Sequence, residues 1–124
     1  FFVKYGQVQD MDLGYASMVP VVRMAEMYLI AAECEDSKAT AYGWLNALRS
    51  ARKATSLPAA GTLSNDLTEE YIREFVGEGQ LFWYYKRLRK TSIRKVYSNN
   101  GGYLEFDPAN YLFALPEKEQ EHHK

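Results

Sequence analysis

Between Pro20 and Thr55 the sequence reads as two helices separated by Asp36-Ser37 alone, and no other feature restricts the fold as strongly. So short a link leaves room only for a tight turn, so the pair is expected to lie antiparallel as a helical hairpin of the tetratricopeptide-like kind. In the first helix, Pro20 to about Glu35, the residues Val21, Met24, Ala25, Tyr28 and Ala32 recur at three- and four-residue steps. Met27, Ile30, Ala31 and Cys34 form a second apolar stripe, which leaves Arg23, Glu26 and Glu33 a narrow polar strip. A helix apolar on so many faces is expected to sit centrally between neighbours, with Cys34 as a small buried hydrophobe.

The second helix, from about Lys38 to Thr55, sets Ala41, Trp44, Leu45, Leu48 and Ala51 on an apolar face and Asn46, Arg49, Ser50 and Lys53 on a polar one. One hairpin cannot bury both its faces. Leu57-Pro58-Ala59-Ala60-Gly61 is a breaker-rich loop, after which Asp66 or Thr68 is expected to cap a third helix with Glu69 and Glu70 in its first turn. That helix buries Tyr71, Ile72, Phe75 and Val76, and Gly79 stops it before the aromatic run Leu81-Phe82-Trp83-Tyr84-Tyr85. Beyond Leu88 periodicity fades. Short strands are expected at most around Arg94 to Tyr97, Tyr103 to Phe106 and Tyr111 to Leu115, and in the first fifteen residues. The fold class is therefore all-α: a tetratricopeptide-like hairpin plus a third helix, with a loop-rich C-terminal region. A chain of 124 residues with 47% hydrophobic residues supplies one domain and excludes a second catalytic one. Its expected parts are an extended lead-in over 1–18, a helical core over 19–90 and mostly loop over 91–124.

A net charge near −1 argues against a surface tuned as a whole to nucleic acid. Locally, Lys86-Arg87-Leu88-Arg89-Lys90, continued by Arg94 and Lys95, follows the aromatic run with no acidic residue between Glu78 and Glu105. Cations beside flat rings suit a nucleic-acid strand, or, as the face of a helical interaction module from Lys86 to Lys95, an acidic protein; a solvated basic face answering Glu70, Glu74 and Glu78 is the plainer alternative. Those glutamates recur every four residues along one helix face, with Arg73, Arg49 or Arg52 as expected partners. The only histidines, His122 and His123, sit in a polar tail, so neither a zinc site nor a serine–histidine triad is supported and no cofactor or enzymatic activity is expected. Gly77-Glu78-Gly79 lacks the lysine and hydroxyl of a phosphate loop and reads as a helix stop. Aromatics reach 15%, and four of them are candidate ligand-binding residues: Trp83 and Tyr84 in the run, Tyr97 and Tyr103 in turn-rich sequence. Phe82 and Tyr85 read as core.

Four segments, in order, carry a resemblance. The helix Val19 to Glu33 resembles the hallmark helix of the SusD/RagB family of outer-membrane nutrient-binding lipoproteins. Tyr42 to Arg52 resembles that family's "leucine, asparagine, two residues, arginine" helix through Leu45, Asn46 and Arg49. Glu74 to Leu88 is similar to its "glutamate-glycine, aromatic, lysine-arginine" segment, with Leu81 and Tyr84 where arginine and aspartate are common. Tyr111 to Glu119 resembles its closing proline-containing signature. The resemblance implies a largely helical protein with tetratricopeptide-like helix pairs. It also implies lipid anchoring, through a cysteine outside this chain, at the cell-surface face of the outer membrane. The expected partners are a SusC-like TonB-dependent transporter and an oligosaccharide or peptide ligand, with no nucleic acid. The chain would be the C-terminal portion of such a protein, and the matched motifs imply scaffold positions rather than a ligand site.

Overall fold

The computed structural model describes residues 21–95, 101–113 and 116, and it is mostly helical. Four α-helices, α1 (Met24–Cys34), α2 (Lys38–Ala51), α3 (Leu63–Phe75) and α4 (Gln80–Arg87), precede two short strands, β1 (Ser92–Arg94) and β2 (Tyr103–Glu105), and a 3-10 turn over Pro108–Tyr111. The chain divides into two compact units, Phe1–Gly79 and Gln80–Lys124. None of the described helices is long and apolar enough to cross a membrane. The strand expectations in the first fifteen residues lie outside the described residues.

In the first unit, α1 buries Ala25, Leu29 and Ala32, a single stripe at four- and three-residue steps. The expectation of a helix covered on every side is corrected: Met24, Met27 and Ile30 are exposed, as is Cys34, because one stripe suffices to meet α2 and α3. Tyr28 is half-buried and meets Trp44 edge-on at 5.8 Å between ring centres. Ser37 caps α2 by accepting a hydrogen bond from the Thr40 N–H, and the start of α1 and the end of α2 converge on one carboxylate. Arg23, the residue before α1, and Arg52, the residue after α2, both donate to Glu74. Since a three-residue link joins their other ends, the two helices form the antiparallel hairpin expected from the sequence.

The inward face of α2 is rotated relative to the expectation. Tyr42 and Arg49 are buried with Ala41, Leu45 and Leu48, whereas Trp44 and Ala51 are exposed. The cause is the segment after the helix. Lys53 takes a left-handed conformation (φ 57°), and the N–H groups of Lys53 and Ala54 return to the carbonyls of Ser50 and Arg49, a Schellman ending that turns the chain back. The returning strap is tied to α2 at three levels. Arg49 donates from Nε and Nη2 to the Thr55 carbonyl; the Asn46 amide both donates to and accepts from the Leu57 backbone; and Gly61 passes the Tyr42 hydroxyl. At Gly61 a Cβ would lie 2.6 Å from an Asp66 carboxylate oxygen, so only glycine fits there without displacement.

Because the strap runs the length of α2, α3 starts beside the beginning of α2 and runs parallel to it. Asp66 meets Tyr42, Glu70 meets Arg49, and Glu74 meets Arg52. The helix starts at Leu63, earlier than expected, with Thr62 before it and no side-chain cap; Asp66 is committed to Tyr42 and Thr68 donates to the Ser64 carbonyl. Tyr71, Ile72 and Phe75 are buried as expected, while Val76 is half-buried beyond the helix end. Gly77 and Gly79, both at φ 79°, then carry left-handed backbone that other residues resist.

Burial, reinforced by the hydrogen bond to Asp66, pushes the Tyr42 phenol up from its ordinary 10 to about 12. The unfolded chain therefore loses this proton first. Its stabilising effect is complete below pH 10 and declines as pH rises through about 12. Urea midpoints between pH 9 and 12 are expected to fall more steeply for the parent than for Tyr42→Phe; equal slopes would remove Tyr42 as the source.

Candidate functional site

Charge is handled differently in the two units. A cleft of about 460 Å³ in the first is lined by four arginines, Glu70 and Glu74. Its charges satisfy one another: Arg23 pairs with Glu74 at 2.8 Å and Glu78 at 3.1 Å, Arg49 and Arg73 both hold Glu70, and Arg52 holds Glu74 at 2.6 Å. The hydrogen bond to Glu74 also raises the Arg52 pKa, keeping that guanidinium charged. Arg73, Arg49 and Arg52 are the partners expected for the glutamates; Arg23 was not, since 51 residues separate it from Glu74. This network ties helices together: each arginine of the lining is paired with a glutamate, while the buried Arg23 Nε has no hydrogen-bond partner among the described residues.

The second unit is built around α4. The run expected as a hydrophobic stretch after a helix is itself a helix, which puts Phe82, Trp83 and Lys86 within one turn of each other. Phe82 meets Trp83 at 5.3 Å and Tyr111 and Phe113 at 5.7 Å each, while Phe106 packs on Tyr111 at 4.6 Å. Tyr111 anchors this cluster: it is buried and its hydroxyl donates to the Lys90 carbonyl. Burial pushes its phenol above the ordinary range. It stands at the end of a 3-10 turn started by Pro108 and capped by Asp107, whose carboxylate accepts from the Ala109 N–H, so the strand expected from Tyr111 to Leu115 is corrected to a turn over its described part.

The cluster grades from buried to open. Trp83 is 58% exposed and Phe113 73%, and the Lys86 ammonium lies over both rings at 5.4 and 5.7 Å. Beside them is a cleft of about 520 Å³ lined by Lys86, Arg87, Arg89, Pro108, Ala109, Tyr111 and Leu112. A flat ring next to fixed cations can stack on a sugar or base and hold an acidic substituent.

The four candidate ligand residues separate clearly. Trp83 presents an open ring. Tyr103, 65% exposed, stands on β2, whose register pairs it with Arg94. Tyr84 is only 6% exposed, packed on Tyr85 with the Arg87 guanidinium over its ring, so its face is not offered to solvent; a helix with Trp83 facing out turns its neighbour inward. Tyr97 lies outside the described residues. Phe113 and the cleft were not singled out in the sequence, because their proximity to Lys86 depends on the 3-10 turn.

The SusD family model matches residues 2–122, nearly the whole chain. No curated protein and no solved structure matches it. The chain belongs to the SusD family, whose members are in general non-catalytic proteins that bind carbohydrate and other nutrients at the cell surface. The Asn46 and Arg49 positions of the family-like helix motif hold the strap, and Glu74 and Glu78 of the next motif pair with arginines, so these residues serve the scaffold.

Proposed function

We propose that this SusD-family chain belongs to a lipid-anchored protein on the outer-membrane surface that captures an oligosaccharide and passes it to a SusC-like TonB-dependent transporter without reacting with it. The observation that carries this reading is the exposed Trp83 ring in an aromatic cluster anchored by buried Tyr111. Such a ring is rigid before ligand arrives, so stacking on the apolar face of a pyranose costs little ordering. Tyr103 supplies a second open ring on β2.

Calorimetric titration of the intact protein with a panel of neutral and acidic oligosaccharides tests the reading. Trp83→Ala is expected to weaken the best ligand about tenfold, the equivalent of about 1.4 kcal/mol. Unchanged affinity would move the site off α4. A nucleic-acid reading draws on the cations Lys86, Arg87 and Arg89 around the second cleft. It requires binding that collapses between low and moderate salt, which stacking on a neutral sugar does not share.

A further inference from the structure

We infer that the ligand of the α4 cleft is an acidic oligosaccharide, one bearing uronate carboxylates or sulfates. This rests on the capture reading above and narrows it to a substrate class. Three cations, Lys86, Arg87 and Arg89, line the cleft, and no carboxylate is among the described lining residues. Lys86 and Arg89 make no ion pair among the described residues, whereas the arginines that hold the first unit together are each matched to a glutamate. Arginines that serve the fold here are neutralised locally; Lys86 and Arg89 are left to be neutralised from outside.

Lys86 connects the charge to the stacking surface. Its ammonium lies over the Trp83 and Phe113 rings, so a sugar stacked on Trp83 brings its substituents next to a fixed positive charge. A neutral sugar can only accept hydrogen bonds at its hydroxyls from that ammonium, while a carboxylate or sulfate adds the attraction between opposite charges. The volume, about 520 Å³, is that of a small-ligand site and does not call for the long track of a nucleic-acid strand.

The backbone provides a clean test. Arg89 follows α4 at φ 48°, and the N–H groups of Arg89 and Lys90 return to the carbonyls of Lys86 and Tyr85, a Schellman ending whose left-handed position favours glycine. Arg89→Gly therefore removes the guanidinium while suiting the fold. Titrations of the intact protein would compare an oligogalacturonate with the same oligosaccharide after reduction of its carboxyls, chondroitin sulfate fragments, neutral dextrin, and single-stranded DNA of equal charge. One or more acidic oligosaccharides should bind about tenfold more tightly than the neutral probes, with Lys86→Gln and Arg89→Gly each removing most of that advantage and Arg89→Gly leaving Tm unchanged or raised. Equal affinity for the acidic and carboxyl-reduced forms overturns the inference and leaves capture standing. Binding of DNA with no glycan bound overturns both.

Discussion

Arg49→Ala is expected to destabilise the first unit by about 3–5 kcal/mol, the range for removing one partner of a buried ion pair. The side chain is buried on α2 and serves two clients: Nη1 pairs with Glu70, and Nε and Nη2 hold the Thr55 carbonyl of the strap. Its loss leaves a buried carboxylate and a backbone carbonyl short of donors. Arg73, more than half exposed, still reaches Glu70 at 3.0 Å, which places the expected cost toward the lower end of the range. Arg49→Lys keeps the charge but not the planar fork and should fall between parent and alanine variant. Urea unfolding monitored at constant m-value checks this, and adding Glu70→Gln to Arg49→Ala should recover part of the loss. A cost below about 1 kcal/mol would mean that the pair is answered by water.

Phe75→Ala is expected to cost about 3–5 kcal/mol, because it empties one of the most completely buried positions in the structure. Phe75 closes α3 against the Tyr71 ring at 5.7 Å and carries the Arg23 guanidinium over its face at 4.7 Å. The same Arg23 pairs with Glu74, so removing the ring loosens the ion pair beside it. A double-mutant cycle between Phe75→Ala and Arg23→Ala should show coupling of about 0.5–3 kcal/mol; strict additivity would separate core packing from the charge network.

The helical class, the hairpin and the buried α3 residues were legible because they follow from apolar periodicity and from the shortness of the Asp36-Ser37 link. Arg49 was misread as to burial, and Tyr42 was assigned to neither face, because a polar residue facing inward looks the same in sequence as one facing water. What distinguishes them is the strap, whose path no local propensity specifies. Leu29, fully buried, escaped the stripe for a related reason: on a helix apolar almost all round, periodicity does not say which face meets a neighbour. Trp83 and Tyr103 were legible as open rings, Tyr84 was not, and the cleft could not be anticipated because Pro108 and Leu112 lie more than twenty residues beyond Lys86.

The convergence of Arg23 and Arg52 on Glu74 has a consequence for cooperativity. The carboxylate is stable in its place only when the beginning of one helix and the end of another have both arrived, and those two cations lie 51 and 22 residues away along the chain. A half-assembled unit, with α3 docked on only one member of the hairpin, would carry an under-neutralised buried charge. Such intermediates are penalised more heavily than either the native or the open chain, so the first unit should lose its three helices together in a single transition.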